Sequence, residues 1–262
     1  MSSPPSSGKG PGSVAAPEIP RVPHVEDRGT ARHDAVRAER WECDGTVKVT
    51  RAVDAGTART QGAVSIGGNA TFGVLEARGL LEIDGPVEVR GAFTLRGNGH
   101  FENAVRAGDL SLEGSGRFRA PLTVDRTLTA RGALEAPSIR AGVAHLSGSA
   151  EVPGDLEALE VVADLTRPSK LGTVRARKVR LKGRVPNLVD KAFYREVRSS
   201  VLRVEGERVE LEAIDVRFVR GPEIRLGRDC HVTEVEGTIV ERHPSSSVGP
   251  ESKSHLPYGL RR

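Results

Sequence analysis

The residues able to do chemistry in this chain are few and scattered. Seven histidines, His24, His33, His100, His145, His231, His243 and His255, lie far apart along 262 residues. Isolated histidines of this kind are ordinarily solvated surface groups. Cys43 and Cys230 are the only cysteines and neither has a CxxC companion, so neither a disulfide framework nor a zinc site is indicated. Two unpaired thiols suit a reducing compartment. The "GKGPGS" near residue 8 lacks the GK[ST] ending and the preceding strand of a phosphate-binding loop. "GGNATFG" reads as a chain corner rather than a nucleotide cradle, and no GxSxG or HExxH motif is present. The expectation is a protein with no catalytic residues, no cofactor, no metal and no small-molecule substrate.

One local run stands out. "KLGTVRARKVRLKGR" carries Lys170, Arg175, Arg177, Lys178, Arg180, Lys182 and Arg184 and no acid. With Val174, Ala176, Val179 and Leu181 pointing inward, Arg175, Arg177, Arg180 and Lys182 point outward along adjacent rungs. Such a basic ladder could meet phosphates, an anionic lipid surface or an acidic partner. No aromatic side chain is interleaved to stack bases, which argues against sequence-specific nucleic-acid reading. The plainer alternative is a solvated charged face balanced by "EGERVELEAID", which begins at Glu205.

The elements that would position these groups are set by glycine. Gly67, Gly73, Gly79, Gly85, Gly91 and Gly97 stand six residues apart. Between them apolar and charged residues alternate: Leu81, Ile83, Val87, Val89, Phe93 and Leu95 on one side, Glu82, Asp84, Glu88, Arg90 and Arg96 on the other. Period two means strand, with one apolar face and one charged face. Alternation continues through each glycine, so the chain bends there without reversing. The structural corners are Gly79, Gly85, Gly91 and Gly97, where a missing side chain suits a cramped vertex. Three six-residue units close a triangular coil of about 18 residues, whose coils stack about 4.8 Å apart as neighbouring strands do. This is an all-β parallel β-helix. A β-sandwich with glycine turns fits less well, because its strand lengths rarely repeat so evenly.

Composition agrees. Apolar residues make up 37% and aromatics 3%, which suits a narrow aliphatic core rather than a wide one. The net charge of +4 is too mild to name a partner. The Pro-, Ser- and Gly-rich start reads as a disordered tail over residues 1–40, the β-helix as 41–240 and a second disordered tail as 241–262. Near 186–200, "PNLVDKAFYREVRSS" breaks the pattern and predicts an insertion, with Asn187 as the N-cap of a short helix. The start has no apolar h-region, and no apolar run reaches the roughly 18 residues that span a bilayer. A cytoplasmic protein is expected, with the basic run as its route to any membrane surface.

Two enzyme classes use β-helices. Hexapeptide acyltransferases repeat an aliphatic residue followed by a small one; here the spacer is apolar, charged, apolar, charged, glycine. Pectin-degrading β-helices need long loops and aromatic sugar platforms, for which one Trp and two Tyr are a poor supply.

Short aliphatic rungs, glycine corners and two tails resemble the bactofilins, polymer-forming bacterial cytoskeletal proteins. The best local match is "GPEIRLGRDCHVTEVEGTIVE", Gly221 to Glu241, which looks like the closing rungs of longer bactofilin-like proteins. The length, the insertion and the lack of a short apolar membrane-binding motif at the amino terminus depart from the pattern. The resemblance implies a right-handed β-helix assembling end to end into nonpolar filaments without nucleotide, alone or with related subunits, its tails recruiting client proteins. The open ends of a β-helix supply the contact, and the expected interface is Val47, Val49 and Val64 at the first rungs with Val232, Val235 and Ile239 at the last. The rival function is a non-polymerising β-helix that binds an acidic partner, DNA or a membrane surface.

Overall fold

The computed structural model describes residues 20–184 and 198–249. Over them the chain is a parallel β-solenoid of about 11 turns with coils of ~17 residues. Its strands are β1 (Val22–Ile66), β2 (Ala70–Ile83), β3 (Val87–Phe101), β4 (Val105–Phe118), β5 (Leu122–Glu135) and β6 (Ile139–Glu157). Then come β7 (Glu160–Leu165), β8 (Lys170–Arg175), β9 (Lys178–Gly183), β10 (Ser200–Glu205), β11 (Arg208–Glu212), β12 (Asp215–Leu226), β13 (His231–Arg242) and β14 (Ser247–Val248). Every pairing is parallel, each strand on the coil before it. Strand structure therefore begins at Val22 and extends to Val248, beyond both edges of the expected 41–240. The expected helix on Asn187 lies outside the described residues. The chain re-enters the coil at β10, which pairs with β8.

Each coil has three faces, illustrated by residues 122–124, 127–131 and 133–135 of one coil and their partners at 139–141, 143–147 and 149–151. We number these faces first, second and third. Successive inward positions are buried: Leu75, Ala77, Leu81, Ile83, Val87, Val89, Phe93 and Leu95 are all at most 3% exposed. Stacking turns these pairs into continuous apolar columns, and the narrow core they form is worth roughly 25 cal/mol per Å² buried.

The corners explain the glycine spacing. Gly79 and Gly97 are partners in successive coils at one corner, with φ of 109° and 134°. Gly91 stacks on Gly73 at a second corner and Gly85 on Gly68 at a third. The six-residue ruler is thus the local trace of one 18-residue coil. Gly62 and Gly79, seventeen apart, belong to the same corner and show that the coil length varies. Shifts of register at Phe72/Leu75 and Val89/Ala92 absorb the difference. The positive-φ column, Gly29 to Gly148, ends where the insertion nears. Beyond it buried serines serve the same corner. Ser169 Oγ accepts from the Ala150 amide and donates to the Arg167 carbonyl, and Ser199 Oγ donates to that carbonyl as well.

Candidate functional site: the charged faces and the rod ends

The basic run does not climb the rod. Arg175 ends β8 on the first face, while Lys178, Arg180 and Lys182 lie along β9 on the second face of the same coil. Arg177 sits at the corner between them, Lys170 stands in register with Glu151, and Arg184 is the residue before the undescribed 185–197. The neighbouring coil supplies acids in register. Arg177 lies 3.7 Å from Glu207, Arg180 3.7 Å from Glu210 and Lys182 3.5 Å from Glu212. Lys178 reaches back 2.9 Å to Glu160, and Arg175 sits between Asp155 at 3.2 Å and Glu205 at 3.1 Å. Burial pushes the Glu205 carboxyl up, but hydrogen bonds from Arg203 and Arg175 outweigh it and hold the group below its ordinary value. Glu205, Glu207, Glu210 and Glu212, which meet this run from one side, all belong to "EGERVELEAID". A polyanion would have to displace these carboxylates, so the geometry favours the balanced face over the binding ladder.

This pairing recurs along the rod. Arg96 pairs with Glu113 at 3.2 Å, Arg106 with Asp125 at 3.1 Å and Arg140 with Glu157 at 2.9 Å, each one coil on. Exposed pairs contribute only about 0–1 kcal/mol each. Their larger consequence is register, because in a parallel stack a slipped coil would set like charges ~4.8 Å apart.

The ends differ from expectation. Val47, Val49 and Val64 are at most 2% exposed, inside the rod rather than at its end, since the coil starts some 20 residues earlier. Val232 is fully buried and covered by Val248, whereas Val235 and Ile239 belong to the last described coil and are half-buried. At the opposite end the corresponding residues are Val25 and Ala31.

The first coil lacks the alternating apolar signal of the later ones because its inward positions are partly polar. Asp27 is 8% exposed; it accepts a hydrogen bond from Trp41 Nε1 at 3.0 Å and meets His33 Nε2 at 2.8 Å. Below it in the next coil, burial and then the Asp27 carboxylate push the Cys43 thiol far above its ordinary value. Burial likewise raises Cys230. Both thiols should therefore resist iodoacetamide in the folded protein at neutral pH and alkylate fully in denaturant. Alkylation of Cys43 at native conditions would show that the first coils open.

A groove of about 520 Å³ follows the third face over Asn98, Ser115, Ala133 and Ser149, beside His100 and Arg117. These last are held by Glu102 and Glu135. Among the described residues no three His, Cys, Asp or Glu side chains gather as a metal site requires. No described helix is long and apolar enough to cross a membrane.

Fold and surface together define a class: a parallel β-solenoid with paired charges along its faces and a core that runs through the described coils. No protein family matches the chain, and no curated protein or solved structure is significantly similar to it.

Proposed function

We propose that this protein is a structural scaffold whose solenoid units join end to end without nucleotide, and whose flanking segments recruit client proteins. The observation that carries this reading is where the core is incompletely covered. Of the apolar side chains packed against it yet only partly buried, Val25 and Ala31 lie in the first described coil and Val235, Ile239 and Val248 in the last, while the small Ala158 and Ala176 stand at mid-rod corners. Among the described residues nothing pairs with the outer edge of either coil. A second rod stacked there would satisfy those backbone groups and cover the apolar rim together, with no chemical step needed.

A second reading also has an observation in its favour. Charged residues at inward positions are one way in which sheet proteins blunt their edges. Asp27 and Arg242 occupy such positions, which suits a rod that stays single and binds other partners along its length.

Negative-stain microscopy at micromolar protein and physiological salt, without nucleotide, separates the two. The scaffold reading expects filaments, and dispersed single rods would overturn it. Val235→Glu should shorten the filaments, because assembly would bury an unpaired charge at a cost of several kcal/mol. Filaments of unchanged length would remove the last coil from the interface.

A further inference from the structure

We propose that two copies of this chain pair side by side and antiparallel through their second faces, about a two-fold axis that runs along residues 143–147 of β6. The inference goes beyond the scaffold reading and is independent of it, because it concerns the flank of the solenoid rather than its ends.

Its basis is the order of charges along the second face, where each coil sets three residues outward, as with Thr127, Thr129 and Arg131. The coil at 143–147 presents Val143, His145 and Ser147, with no acid, lysine or arginine. Towards the carboxyl end the next coil presents Glu160 and Asp164, and the one after it Lys178, Arg180 and Lys182. Glu210 and Glu212 follow, then Arg225, then Glu241. Towards the amino end the order is Arg131, then Asp109 and Glu113, then Arg96, Glu76 and Arg59. Each series reverses sign from coil to coil, and at equal distances from 143–147 the two series are opposite.

A two-fold axis along that strand inverts the order of coils and leaves each outward column facing its own copy. Arg131 then meets Asp164, Asp109 meets Lys178 and Arg59 meets Glu241 of the second copy. Within one chain Arg96 lies 3.2 Å from Glu113, and Lys182 lies 3.5 Å from Glu212. Across the axis Arg96 falls on Glu212 and Glu113 on Lys182, which closes a square of alternating charge on each side of the axis. No intrachain pair has to break, whereas a polyanion would displace the carboxylates. Arg78, Arg208 and Glu223 face uncharged positions and keep their own-chain partners. The charges also exclude the neighbouring registers. Sliding the pair by one coil sets Glu113 on Asp164 and Arg59 on Arg225 in one direction, or Arg131 on Lys182 and Glu113 on Glu212 in the other. Parallel pairing with coils in step sets Lys178 on Lys182. The middle of the contact, from Thr127 to Val162, is mostly small and uncharged, and the charges flank it, as in protein interfaces generally. The overlap, about 48 Å at ~4.8 Å per coil by about 16 Å at ~3.3 Å per residue, is close to the ~800 Å² per partner of a stable interface.

Cross-linking at the axis reads the pairing directly. His145 is exposed and would face its own copy, whereas Thr123 points outward on the first face. Each is replaced by cysteine in a separate chain; both native thiols are buried, so background reaction is low. With packed sheets about 10 Å apart, a short bis-maleimide spans the gap. The expected result, at micromolar protein and low salt, is a covalent dimer from His145→Cys chains and little from Thr123→Cys chains. Sedimentation should show the unlinked dimer weakening as salt rises, since its charges lie near the surface. His145→Glu, which sets two carboxylates face to face, should weaken association roughly tenfold or more, while His145→Gln leaves it intact. Equal cross-linking at the two positions, single solenoids at low salt, or dimers unaffected by His145→Glu would overturn the inference. Filaments that form without the His145 cross-link would leave the scaffold reading standing and remove this one. Cross-linked dimers from chains that never form filaments would do the reverse.

Discussion

Gly114→Ala is expected to destabilise the rod by about 3 kcal/mol or more, from two additive causes. Its φ of 129° is a conformation that side-chain-bearing residues rarely adopt, and holding alanine there costs about 1–3 kcal/mol. The second cause is contact. A Cβ at this position would lie 2.1 Å from the carbonyl oxygen of Gly97 in the preceding coil. That neighbour is backbone inside a continuous ladder, so it cannot rotate aside. Moving it opens inter-coil hydrogen bonds worth about 1 kcal/mol each. Because each coil contacts only its neighbours, the opening spreads along the axis before it spreads across it.

Gly29→Ala separates the two causes. Gly29 has φ of 80° but nothing within 4 Å of its Cβ position, since it begins the column. It should carry the conformational cost alone, about 1–3 kcal/mol. Urea denaturation of both variants against wild type measures the difference. Equal losses would mean that the close approach of coils is not what selects glycine at this corner.

The contrast between those two glycines also shows what could be read from the chain. Alternation from Leu75 to Phe101 was legible because period two survives the corners, and the six-residue spacing identified them. The first coil was not, because Asp27 and His33 stand where apolar residues would have announced it. The basic run from Lys170 to Arg184 looked like a patch because its charges are neighbours in sequence, whereas its counter-charges are a coil away. Arg37 with Asp54, Arg96 with Glu113 and Arg140 with Glu157 are each seventeen residues apart, a correlation available once the coil length is known. For Arg175 the separation becomes thirty, because residues 185–197 intervene before Glu205.

Within the core, Gly99→Leu and Phe101→Ile should each destabilise singly and partly rescue one another. Gly99 and Gly116 occupy inward positions, in register with Leu81 before them and Leu134 after. Their two coils are the ones that carry Phe101 and Phe118 two residues further on. A Cβ on Gly99 would fall 2.7 Å from the Phe101 ring and 2.4 Å from a Leu95 methyl, so glycine here makes room for the ring. Adding leucine alone overpacks the coil, at about 1–3 kcal/mol. Shrinking Phe101 alone leaves space unfilled and forfeits its stacking on Phe118, whose centroid is 4.8 Å away. Together the two changes write the Leu81–Ile83 pair of the preceding coil into this one. The double variant should be more stable than the sum of the singles predicts by about 1–2 kcal/mol, as contacting residues commonly are. Rescue stays incomplete, because Phe118 still lacks its partner ring, a loss of about 0.5–1.5 kcal/mol. A double-mutant cycle in urea provides the measurement. Strict additivity would mean that Gly99 is retained for its backbone alone, and that the paired absence and presence of bulk in these coils is coincidence.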